Sequence, residues 1–174
     1  LFIHYPNYIK LTPDEKEVER FIKQFVKFIR WLDLRVGTEF YPLIIPIVNS
    51  SLLELKKCEK YINTLFLHTY PDYYSDHWDP LQEIKDHNEY FDQYDTRAQA
   101  LFEVTSITGP IFTALDLDTN LTFQLIGLPT EITDGTIING FLAKRKEDWI
   151  WTWDSPVGVF PKQAKQYLND VILT

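Results

Sequence analysis

The sequence predicts an α+β domain in which N-terminal helices and a C-terminal helix pack on a mainly antiparallel sheet of about five strands. Three observations carry this. Residues 12–101 place apolar side chains mostly at helical spacing behind capping signals, residues 102–153 change to short apolar or alternating runs split by turn residues, and helical spacing returns after Pro161. One domain over residues 1–174 suffices, because a single core serves about 100–200 residues.

Thr12-Pro13-Asp14-Glu15 reads as an N-cap, a proline in the first turn and a capping-box acid. The helix it opens is expected to run to about Val36 and stop at Gly37. Val18, Phe21, Ile22, Phe25, Phe28, Ile29 and Leu32 fall on one side of it, and Lys16, Arg20, Lys23, Lys27 and Arg30 on the other. Leu43-Ile44-Ile45 and Ile47-Val48, bracketed by Pro42 and Pro46, read as a short edge strand. A second capping box, Ser51-Leu52-Leu53-Glu54, then opens a helix through Leu55, Cys58, Ile62 and Leu65. Residues 68–79 form an ordered aromatic loop, and Asp79-Pro80-Leu81-Gln82 starts a third helix that extends toward Leu101.

Strands are expected at 102–107, 111–117, 121–126, 136–143 and 149–153, joined by connections short enough to favour an antiparallel meander. The closing helix follows Pro161 and carries Ala164, Tyr167, Leu168, Val171 and Ile172 on one stripe.

Composition narrows the function classes. With 45% hydrophobic and 16% aromatic residues, the chain has the material for a core and is neither disordered nor fibrous. The lone cysteine, Cys58, sits among core positions, makes no internal disulfide and reads as an inert buried thiol in a reducing, cytoplasmic protein. Asn49-Ser50-Ser51 and Asn120-Leu121-Thr122 match the glycosylation sequon, a pattern short enough to arise by chance. A chain starting at Leu1 and lacking Met reads as a trimmed or processed product. No apolar run approaches the roughly 18–20 residues that span a bilayer.

Charge is unevenly placed. Residues 1–60 hold ten Lys/Arg against eight Asp/Glu, residues 72–103 two against nine, and residues 104–174 five against eight. With a net charge of −8, general binding to nucleic acid or to an anionic membrane is disfavoured, whereas a partner with a basic surface is attracted.

Three constellations carry potential chemistry. Asp76-His77-Trp78-Asp79 is echoed by Asp86-His87-Asn88-Glu89, and Glu83 and His87 lie one helical turn apart; these residue types suit a metal, yet no HExxH run accompanies them and no metal site or cofactor is expected. Asp116-Leu117-Asp118-Thr119-Asn120 begins like a calcium loop but lacks the glycine and acid that should follow, so it reads as a hairpin turn. Trp149, Trp151 and Trp153 alternate along one expected strand, flanked by Asp148 and Asp154, either as a wall of core or as a stacking platform for a sugar or planar ligand; core is the expectation. No phosphate loop or nucleophile elbow is present, and the sequence leaves open whether the protein is an enzyme.

The leading expectation is a small acidic interaction module of the inhibitor or immunity type. Its contact surface is Tyr73, Tyr74, Trp78, Asp79, Asp86, Glu89, Tyr90 and Tyr94, where aromatics give rigid area and carboxylates steer a basic protein partner. The alternatives are a small-ligand domain using the tryptophan row and a metal-dependent enzyme using the two Asp-His pairs.

Overall fold

The computed structural model describes residues 5–167. After a single 3-10 turn at Tyr5–Tyr8 come helices α1 (Glu17–Val36), α2 (Phe40–Thr69) and α3 (Pro80–Phe91). Five strands follow, β1 (Thr96–Thr108), β2 (Ile111–Asp116), β3 (Thr122–Ile126), β4 (Ile137–Lys144) and β5 (Trp151–Phe160), and then a 3-10 turn at Lys162–Ala164. The expected α+β class is present. Residues 168–174 of the expected closing helix lie outside the described residues.

The sheet closes on itself in the order β1-β2-β3-β5-β4. β1 pairs antiparallel with both β2 and β4, and β3 runs parallel to β5 through Leu125↔Trp151 and Ile126↔Thr152. This is the connectivity of a five-stranded Greek-key barrel of the OB type. A meander alone does not produce it. The chain leaves β3, crosses to pair β4 with the far side of β1, and brings β5 back into the gap. Inside lie Phe102, Val104, Phe112, Ala114, Leu125, Ile138, Leu142, Trp153 and Val159, joined by Leu55, Cys58, Ile62 and Leu65 of α2 and Val18 and Ile22 of α1. The seam between β3 and β5 is short, and α2 lies along β5 beside it.

Both N-terminal helices begin away from their local signals. Thr12 to Glu15 form a turn in which Glu15 takes the left-handed region at φ 47°, so the chain cannot run from it straight into a helix. The cap of α1 comes instead from Glu59 of α2, whose Oε1 and Oε2 accept from the backbone N–H of Glu17 at 2.6 Å and Val18 at 3.3 Å. Likewise α2 starts at Phe40, not Ser51. Asp33 near the end of α1 accepts from the N–H of Phe40 at 2.9 Å and of Tyr41 at 2.8 Å, and from the Thr38 hydroxyl at 2.7 Å.

The expected strand at 43–48 is therefore the first third of a 30-residue helix. Pro42 falls in its first turn, where a missing N–H costs nothing, and Ile44 and Val48 pack inward at i, i+4. Pro46 is accommodated within the helix, and Ser51, inside it, donates back to the Ile47 carbonyl at 2.5 Å instead of capping. The expected stop at Gly37 holds, with φ 75° and its N–H donating to the Asp33 carbonyl. The third helix starts as read, because Asp79 accepts from Leu81 and Gln82 at 3.0 and 3.1 Å, but it ends at Phe91 and β1 already begins at Thr96.

No helix among the described residues is long and apolar enough to cross a membrane.

Candidate functional site

The acidic aromatic segment is one continuous layer of contacting rings. Phe66 at the end of α2 meets Tyr70 and Tyr73, and Tyr73 meets Tyr74 and Trp78 at centroid distances of 4.9 and 4.7 Å. Tyr70 then contacts His87 of α3, His87 contacts Phe91, and Phe91 contacts Tyr90 and Tyr94. Edge and tilted contacts of this kind are what the ring quadrupole favours. They hold the 70–79 loop and α3 to the end of α2.

The pin of the layer is a buried carboxylate that no local spacing announces. Asp154 of β5 is 2% exposed; its Oδ1 lies 2.6 Å from His87 Nε2, and its Oδ2 accepts from Arg97 Nε at 2.8 Å. The register explains how Arg97 gets there. Arg97 on β1 and Thr152 on β5 flank the small Ala143 of β4, and the guanidinium reaches across it. Burial works to raise the Asp154 carboxyl, but the His87 hydrogen bond and the hydrogen bond and charge of Arg97 outweigh it and hold the group below its ordinary value. Since the carboxylate is ionised, His87 Nε2 carries the proton that is shared. Thr69 of α2 donates to the Leu65 carbonyl and lies 3.4 Å from the Asp154 carbonyl. One residue thus gathers α2, α3, β1 and β5. Beside it opens a hollow of about 270 Å³ lined by His68, Thr69, Tyr90, Gly127, Thr152 and Trp153 among others.

The eight residues expected to form the contact surface divide into two groups. Tyr73, Tyr74, Trp78, Asp79 and Asp86 lie at the loop end of α3, where Asp72, His77, Trp78, Asp79, Glu83 and Asp86 line a recess of about 320 Å³. Glu89, Tyr90 and Tyr94 lie at the other end of the helix. Several are committed internally: Asp79 caps α3, Tyr74 donates to Asn63 at 3.0 Å, the Trp78 indole donates to Glu83, and Arg145 stacks 5.4 Å over Tyr94. Asp86, Glu89 and Tyr90 point to solvent. Leu81 and Ile84, the apolar residues in the first half of α3, are exposed.

The remaining constellations take separate places in the fold. His77 and His87 do not converge, since His87 is bound to Asp154, and among the described residues no group of three His, Cys, Asp or Glu side chains comes together to hold a metal ion. The tryptophan row breaks up because β5 begins only at Trp151. Trp153 is 4% exposed, Trp151 is half-buried, and Trp149, outside the strand, is 71% exposed. The buried ring needs Gly140 opposite it, where a Cβ would fall 2.6 Å from Trp153 Cζ3. Cys58 is buried and its thiol is pushed up to about 12 by burial, so it is not a nucleophile at neutral pH. Asp116 folds its carboxylate back onto the N–H of Asp118 and Thr119, the bonding of a polar turn.

Comparison with protein-family models, with curated proteins and with solved structures gives no match, so geometry and charge carry the functional reading.

Proposed function

We propose that the protein is an interaction module that binds a basic protein surface through the face made by residues 72–94. The supporting observation is the absence of neutralisation. Asp72, Asp76, Asp86 and Asp92 are exposed and have no cationic partner among the described residues, while the lysines and arginines of α1 form no ion pair with residues 72–103. Internal screening of the acidic helix by α1 therefore lacks support. The partner's Lys or Arg side chains enter the recess between Asp72, Asp79 and Asp86 against the Trp78 ring, and Tyr90, Leu81 and Ile84 add apolar contact. Because the barrel closes, docking uses side chains and not an added strand. The OB-type barrel itself does not select the ligand.

The test is charge reversal of Asp86, Glu89 and Asp92 to Lys. Association with a basic partner protein is expected to slow at low salt and lose its salt dependence while the thermal midpoint is kept. Lost stability with unchanged association refutes the reading.

A second reading has one specific observation behind it. Trp149 is exposed at the β4–β5 turn, close in sequence to Trp151, over which Lys144 Nζ sits 5.0 Å from the ring centroid. Such a pair is a stacking surface for a sugar or planar ligand. Titration with mono- and oligosaccharides that quenches indole fluorescence in the wild type but not in Trp149→Ala favours it over the acidic face.

A further inference from the structure

The α1–α2 hairpin leaves an apolar face uncovered. On α1, Phe28 and Trp31 are 52% and 56% exposed and stack at 6.0 Å; on α2, Phe40, Leu43 and Ile47 are 44%, 67% and 49% exposed at the i, i+3, i+7 spacing of one stripe. Phe28 precedes the buried Ile29 by one residue, and Ile47 precedes the buried Val48 by one. In an antiparallel pair, positions one step before each inward-facing residue fall on the same side, so the two stripes form one surface. Val36, 64% exposed, extends it at the hairpin end. At about 100° per residue, Lys23 and Arg30 lie roughly 140° and 160° from Phe28, and Lys27, one turn before Trp31, borders this face.

We infer that the occupant of this face is a second copy of the chain, and that two hairpins pack about a twofold axis into a four-helix layer. Area supports the assignment. Taking about 190 Å² as a full large apolar residue, the six exposed side chains offer roughly 600 Å² of apolar surface per copy. A standard interface buries about 800 Å² per partner and is about 65% apolar in homodimers, so it needs roughly 500 Å² of this kind. Charge enters the face only at the hairpin end, where Arg35 is exposed on the α1 stripe at i, i+7 from Phe28. The acidic face on α3 is a separate surface, left outside this contact.

Sedimentation velocity of the wild-type chain over a hundredfold concentration range tests this. The expected result is a species of twice the 20.6 kDa chain mass at micromolar concentration. Leu43→Glu, and independently Ile47→Lys, replace exposed side chains and are expected to raise the dimer dissociation constant by about 100-fold or more with unchanged circular dichroism. A wild type that stays monomeric to ~100 µM overturns the inference, as does a dimer that persists in both variants. A monomer that instead co-sediments with phosphatidylcholine–phosphatidylserine vesicles, in a manner abolished by Leu43→Glu, overturns it in favour of a lipid surface.

Discussion

The α1–α2 hairpin and the α3 face are built on opposite principles. The hairpin is held by apolar packing and by caps borrowed across the fold, Glu59 for α1 and Asp33 for α2, and it leaves apolar side chains in solvent at its far end. The α3 face caps itself with Asp79, leaves carboxylates in solvent, and is fastened by the buried charge of Asp154. The difference teaches where stability and function separate. A carboxylate buried with Arg and His is weak evidence of added stability, yet it fixes which elements meet, and here it fixes the orientation of α3.

Removing the pin gives the largest expected effect. Asp154→Ala leaves Arg97 without its buried partner and is expected to cost about 3–5 kcal/mol, read as a drop in denaturant midpoint. Hydrogen exchange should rise in α3 and the 70–79 loop before it rises in α1 and α2. Equal loosening of hairpin and face would erase the contrast between them.

Next comes the borrowed cap. Glu59→Ala strips the acceptor from the N–H groups of Glu17 and Val18 and is expected to cost about 1–3 kcal/mol, with fraying confined to the start of α1.

These two acids also respond to pH in opposite senses. Asp154 has a folded value below its ordinary 3.8, so its contribution is complete above that value and is lost as pH falls through the lower folded value. Glu59 is raised above its ordinary 4.5, chiefly by burial, so the folded state holds that proton more tightly and its contribution declines as pH rises from 4.5 through the folded value. Thermal midpoints from pH 2 to 7 for Asp154→Asn and Glu59→Gln should each remove one limb, the acid-side rise for the first and the later decline for the second. A pH profile identical to wild type in both variants contradicts the assignment.

The smallest effect compares two capping boxes read with equal force from the sequence. Asp79→Ala should cost about 1 kcal/mol, whereas Ser51→Ala, inside α2, should stay within about 0.5 kcal/mol. Equal costs would mean that Ser51 opens a helix after all.

What was legible in the sequence follows the same division. The Asp79 start of α3, the Gly37 stop and the sites of the turns rest on neighbours in the chain and read correctly. The starts of α1 and α2 did not, because their caps lie 42 and 7 residues away from the N–H groups they serve, outside any local window. Leu43 to Val48 read as a strand because consecutive branched apolar residues between prolines look the same in a buried strand and in a helix packed on two sides. Barrel closure was invisible, since it depends on β5 returning between β3 and β4. At the site, the aromatic and acidic residues were recognisable by composition. The His87–Asp154 contact joins residues 67 apart, and only the fold brings them together.

The central claim is that residues 72–94 form the surface that receives a basic partner. Its most direct test is an NMR titration of the isotope-labelled chain with an arginine-rich peptide at low and at physiological salt. The account predicts amide shifts clustered at Asp72–Asp79, Gln82–Asp86 and Tyr90, shrinking as salt screens the exposed charges beyond a Debye length of about 8 Å. Shifts centred instead on Lys144–Trp151 or on the hairpin, or none at low salt, would contradict it.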